Sequence, residues 1–123
     1  MTHKSKSARG ASLRPRFRIS SGKDIALGPG KVELLALIEE TGSISAAAKR
    51  MEMSYMRAWS LIQTMNACFK EPVVAAVRGG SRRGGAELTK TGRRALELYQ
   101  RMEAASVEAT QSGWQAFRKL LRD

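Results

Sequence analysis

Ser54, Tyr55, Met56, Arg57, Ser60 and Thr64 are the residues whose types and spacing point most directly at chemistry, and that chemistry is recognition rather than bond-making. Hydroxyls, a phenol, a thioether and a guanidinium on the outward face of one helix can meet base edges in a major groove. A second cluster lies in the run RGGSRRGG, residues 78–85. Its Arg78, Arg82 and Arg83 suit phosphates or a minor groove, and its four glycines let the backbone approach another molecule closely. Lys and Arg number 22 against 11 Asp and Glu, a formal net charge of +11, so an anionic polymer is the natural partner.

Catalytic chemistry finds little support. His3 is the only histidine and sits in a basic tail; Cys68 is the only cysteine and lies beside Phe69, where it packs as a small apolar residue. An intramolecular disulfide and a cysteine-rich zinc site are thereby excluded. Glu39, Glu40 and Glu71 are scattered among structural segments. The glycine-rich loop runs into Ala86-Glu87 rather than into Lys and Ser or Thr before a helix, so it is no nucleotide-binding P-loop. The expectation is a protein that is not an enzyme and has no cofactor and no metal.

The elements that must hold these residues follow from periodicity. Within Gly42 to Asn66, Ile44, Ala47, Ala48 and Met51 recur at the spacing of one helical face, with Ser43 as cap. Ser54 caps a second helix, residues 54–69, on which Ala58, Leu61 (or Ile62), Met65 and Phe69 share a face. The two small alanines of the first helix sit where the pair would cross, as in a helix-turn-helix. Upstream, Gly28-Pro29-Gly30 predicts a helix beginning after it, with Val32, Leu35 and Ile38 buried and Gly42 closing it in a left-handed turn. Downstream, Glu71-Pro72 closes the second helix. Val73–Val77 and Ala86–Leu88 then read as strands of a β-hairpin around the glycine-rich tip. Thr89 caps a long amphipathic helix with Ala95, Leu98 (or Tyr99), Met102 and Ala105 (or Ser106) on one face, which Gly113 interrupts before Trp114, Phe117 and Leu121. Earlier, Arg16-Phe17-Arg18-Ile19 alternates like a strand with one buried face, ended by Ser21-Gly22-Lys23.

The fold class is therefore mostly α with a small β-hairpin: a winged helix-turn-helix with a long C-terminal helix. Residues 1–16 form a basic flexible arm, 17–92 the winged domain and 93–123 the dimerisation helix. With 123 residues, 42% hydrophobic and 27% charged, the chain has the composition of one ordinary globular domain. It contains no apolar run of membrane-spanning length and its first residues lack a secretory core, which predicts a cytoplasmic protein and no membrane partner.

The run TGSISAAAKRMEMSYMRAWSLIQTMN, the glycine-rich wing and LTKTGRRALELY resemble the N-terminal DNA-binding domain of the bacterial molybdate-dependent transcriptional regulators, and more distantly the LysR-type regulators. The most specific pieces are Gly42-Ser43-Ile44-Ser45, Ser54-Tyr55, Ala58-Trp59, Met65-Asn66, and Leu88-Thr89 with Gly92. The resemblance implies that Ser54, Tyr55, Met56, Arg57 and Ser60 lie at the major groove, that Arg78, Arg82 and Arg83 ride on the wing, and that Trp59 and Met65 are structural. Met51, Met53, Met56 and Met65 likewise read as packing residues, since no histidine or cysteine cluster accompanies them. No small-molecule effector domain is expected within this sequence, so the resemblance does not extend to molybdate sensing.

The function expected is a sequence-specific, double-stranded DNA-binding transcriptional regulator. Ser43, Ser54, Tyr55, Met56, Arg57, Ser60 and Thr64, with the wing arginines 78, 82 and 83, are its DNA-binding residues. The alternative is a non-specific nucleoid-associated or RNA-binding basic protein. A homodimer is expected, joined through the C-terminal helix, which packs on the helix from Val32 to Glu40 or on its own symmetry mate.

Overall fold

A computed structural model describes residues 10–77 and 85–122. They form two compact units, residues 17–98 and, separately, residues 99–122 with the N-terminal segment up to Arg16.

The larger unit begins with a hairpin of β1 (Ile19–Ser21) and β2 (Asp24–Leu27), paired antiparallel with a bulge after Ile19. The alternation through Arg16–Ile19 predicts a strand with one buried face, but all of β1 is exposed, and the buried residues are Ala26 and Leu27 of β2. Gly22, at φ 61°, does more than end a strand: its left-handed conformation turns the chain back on itself.

Helix α1 (Pro29–Thr41) starts on the proline rather than beyond it. A proline lacks only a donor that the first turn leaves unpaired anyway, and its fixed φ suits the first helical position. Val32, Leu34, Leu35 and Ile38 are buried, and Gly42 at φ 70° ends the helix by donating its N–H to the Ile38 carbonyl at 2.7 Å. α2 (Ile44–Arg50) and α3 (Tyr55–Cys68) follow, and α1, α2 and α3 pack on one another. Of the alternatives on α3, Ile62 is buried and Leu61 lies at the edge. β3 (Val74–Val77) and β4 (Gly85–Leu88) pair antiparallel from Val74↔Leu88 to Val77↔Gly85. A third short pairing, Ser43 with Gly85, and the hydrogen bond from Ala86 N to the Gly42 carbonyl at 3.0 Å tie this hairpin to the α1–α2 junction. The element order is that of a winged helix.

α4 (Lys90–Ala109) runs from this unit into the smaller one, where α5 (Gln111–Arg118) follows. The break falls at Thr110, whose hydroxyl donates to the Ser106 carbonyl at 2.7 Å, and not at Gly113, which lies inside α5. Such back-bonding by a threonine hydroxyl bends a helix, whereas a single glycine is tolerated within one. In the smaller unit Tyr99 and Trp114 are buried, while Met102, Phe117, Leu120 and Leu121 are exposed. Burial raises the Glu103 carboxyl above its ordinary pKa. Among the described residues no helix is long and apolar enough to cross a membrane, and no group of three His, Cys, Asp or Glu residues could hold a metal ion.

Candidate nucleic-acid interface

The interface is built by fixing one side of α3 and leaving the other open. Ser43 caps α2 by accepting a hydrogen bond from Ala46 N at 3.1 Å, and Ser54 caps α3 by accepting one from Arg57 N at 3.0 Å. Between the helices the chain turns through Glu52, which takes φ 56° without being a glycine, and Met53 N closes the turn on the Ala48 carbonyl at 3.0 Å. Ala47, Ala48 and Ala58 are no more than 2% exposed. Small side chains there let the two helices pack closely.

With Ala58, Ile62 and Met65 turned inward at 0–3% exposure, the opposite face of α3 stands clear. Tyr55 is 46% and Met56 65% exposed, and Ser54, Arg57 and Ser60 are exposed beside them. Met56 is therefore a surface residue, not one of the packing methionines. Thr64 is half-buried and its hydroxyl donates to the Ser60 carbonyl at 3.2 Å, turned toward its own helix. Ser43 is half-buried as well; its oxygen is occupied as a cap acceptor, leaving its O–H as the donor. α3 carries no Asp or Glu over its whole length, so nothing on it repels a phosphate backbone.

Trp59 departs from the structural role the resemblance implied. It is 42% exposed, because it follows the buried Ala58 by one residue and so sits a quarter-turn away from the core. Together with Tyr55 and Gln63 it borders a groove of about 200 Å³ between α3 and the β3–β4 hairpin, floored by Ile62, Ala75 and Ala86. Gln63 is exposed and was missed in the sequence. Its signal was there in the spacing: it follows Ser60 by three residues and Met56 by seven, the step of one helical face.

The carboxamide of Asn66 ties the hairpin to α3. Asn66 Oδ1 accepts from Val73 N at 2.7 Å and from Val74 N at 3.2 Å, and Nδ2 donates to the Val74 carbonyl at 3.3 Å. Thr89 adds a second lock, donating from its hydroxyl to the Pro72 carbonyl at 2.6 Å and accepting from Gly92 N at 3.0 Å as the cap of α4. Glu39 and Glu40 face solvent in ion pairs with Arg93 at 3.6 Å and Arg50 at 2.6 Å, contacts of small energetic weight at this exposure. The wing arginines 78, 82 and 83 lie outside the described residues, as does most of the basic arm.

Comparison with known proteins follows the same lines. No family model matches the chain. The molybdenum transport protein ModE of Azotobacter vinelandii is 43% identical over 88 residues, which are 72% of this chain and 33% of that protein. The molybdenum-pterin-binding protein MopB of Rhodobacter capsulatus is 46% identical over 78 residues, 63% of this chain and 29% of that one. The DNA-binding transcriptional dual regulator ModE of Escherichia coli is 41% identical over 71 residues, 58% of this chain and 27% of that one. The chain thus spans about a third of the length of the relatives it matches. Among solved structures, the CbnR DNA-binding domain crystallised with DNA superposes with a TM-score of 0.54 at 22% identity, over 71% of this chain and 94% of that one, a likeness of fold. Over the residues so matched the chain is similar to the ModE and MopB proteins, and its fold is that of a winged helix.

Proposed function

We propose that this protein is a sequence-specific, double-stranded DNA-binding transcriptional regulator that inserts α3 into the major groove. The observation that carries the reading is the two-sidedness of α3: Ala58, Ile62 and Met65 fix it in the core, while Tyr55, Met56, Arg57 and Ser60 project outward on a helix free of carboxylates. The E. coli relative is named as a DNA-binding transcriptional regulator, and CbnR is seen in complex with DNA. Ser43 and Ser54 donate to flanking phosphates from their capping positions, and Thr64 closes the far end of the face. Arg78, Arg82 and Arg83 meet the backbone or the minor groove from the wing.

The active species in this reading is a homodimer. Met102, Phe117, Leu120 and Leu121, between 41% and 81% exposed in the smaller unit, supply apolar surface for a second copy. A dyad then sets two α3 helices on half-sites about 34 Å apart, or a multiple of that.

The net charge of +11 equally supports a non-specific basic protein, and one experiment separates the two. Selection of bound sites from random duplex DNA should enrich a palindromic motif, bound at least about a thousandfold more tightly than random duplex at physiological salt. A flat outcome would refute the specific reading.

A further inference from the structure

We infer that the wing-side flank of α3 is a second reading surface, specific for two A·T pairs, in which Gln63 takes the adenine edge of one and the exposed rings of Trp59 and Tyr55 take the thymine methyl of the other. The inference rests on α3 being the major-groove helix and goes beyond it in naming residues and bases.

Three observations carry it. Trp59 and Tyr55 are 42% and 46% exposed although the unit has a complete core, so two aromatic rings one helical turn apart are left as one apolar wall. Gln63 lies one turn further along the same flank, exposed, and its carboxamide makes no hydrogen bond among the described residues. Its neighbour Asn66 spends its carboxamide on β3, so of the two amides on α3 only Gln63 is open to a partner. A carboxamide offers one donor and one acceptor side by side, which matches the N6 and N7 edge of adenine. An aromatic ring offers none of these but provides apolar contact for the C5 methyl of thymine, the one apolar group in the major groove.

The spacing fits as well. Four residues of helix carry Gln63 about 6 Å along the axis from Trp59, close to two base-pair rises of roughly 3.4 Å. The methyl and the adenine therefore sit about two base pairs apart rather than on one pair. A protein or lipid partner is disfavoured by the rest of the surface. The helix carries no acid and the chain is strongly cationic, a combination complementary to duplex DNA.

The test uses the full chain and the motif selected by the wild type. Gln63→Ala, at an exposed helical position that leaves the fold untouched, should lower the preference for adenine at one position of each half-site by about tenfold and leave the others as they were. Replacing thymine by deoxyuridine at the pair two steps away removes only the methyl. It should weaken wild-type binding several-fold and leave Trp59→Ala binding unaffected, and the wild-type arm reports even if that variant folds poorly. An unchanged adenine preference in Gln63→Ala, or uridine-substituted sites bound by the wild type as tightly as the thymine sites, would overturn the inference while the regulator reading stands. A wild type that selects no motif overturns that reading itself.

Discussion

Gly92→Ala is the substitution on which the packing argument can be tried most severely. Gly92 is the third residue of α4 and is buried against the backbone of Val73. A Cβ built there would stand 2.1 Å from the Val73 carbonyl oxygen, 3.0 Å from its carbon and 3.2 Å from its Cα. The obstacle is backbone, so no side chain can rotate aside. Relief requires the start of α4 and the segment before β3 to part by about 1 Å. That segment is fixed by the hydrogen bonds from Thr89 N to the Val73 carbonyl at 3.0 Å, from the Thr89 hydroxyl to the Pro72 carbonyl, and from Val73 N to Asn66. Losing two of these costs about 1–3 kcal/mol, and overpacking of this kind adds about 1–3 kcal/mol. Alanine's better helix propensity returns about 1 kcal/mol, which leaves a destabilisation of about 1–5 kcal/mol. Urea unfolding followed by circular dichroism measures it as a lower midpoint at unchanged slope. Gly113→Ala is the control, since a Cβ there meets nothing within 4 Å, and it should stabilise by about 0.5–1 kcal/mol. A Gly92→Ala protein within about 0.5 kcal/mol of the wild type would refute the reasoning.

Arg57→Ala should weaken cognate binding by about 1–3 kcal/mol in a fluorescence anisotropy titration, with its melting curve unmoved; equal losses on cognate and random duplex would assign Arg57 to phosphate alone. Replacing Arg82 and Arg83 together should flatten the log-log salt dependence of binding by up to about two units, and an unchanged slope would remove the wing from the interface. Glu52→Gly should relieve a left-handed residue at φ 56°. A stability gain of up to about 1 kcal/mol by thermal melting is expected, whereas a clear loss would mean that the side chain itself contributes. In sedimentation equilibrium the chain should be a dimer at micromolar concentration, and Phe117→Glu with Leu120→Glu should weaken association at least about tenfold, from the apolar area each residue withdraws. A dimer indifferent to both substitutions would place the contact elsewhere.

What could be read from the sequence is what local chemistry decides. Ser43 and Ser54 are hydroxyls ahead of apolar periodicity, Gly42 stands where a left-handed end is needed, and each makes the predicted cap. The inward faces of α1 and α3 follow from spacing alone. The misses share a different cause. Pro29 reads as a barrier but serves as a first helical residue, and Thr110 bends the helix through a back-bond that leaves no periodic trace. β2 was overlooked since Asp24-Ile25-Ala26-Leu27 is too short to alternate convincingly, and its place is fixed by pairing with β1 and packing on α3. The resemblance makes Trp59 structural, yet it is 42% exposed. Its direction depends on the helical phase set by Ala58 and Ile62, which only the packed structure defines.

The Asn66 clamp has a consequence for transplanting specificity. One carboxamide ties the far end of α3 to the root of the β3–β4 hairpin, so helix and wing share a single frame of reference. The side chains that would be exchanged in a chimera, at positions 55, 56, 59, 60 and 63, all lie off the buried stripe of Ala58, Ile62 and Met65. A donor's outward residues can therefore be grafted while Asn66 keeps the angular register, and the graft inherits the wing geometry without redesign. Exchange of the whole helix with loss of that asparagine would remove the hydrogen bonds that join the two elements directly, and the recipient's aim would loosen even with every outward residue in place.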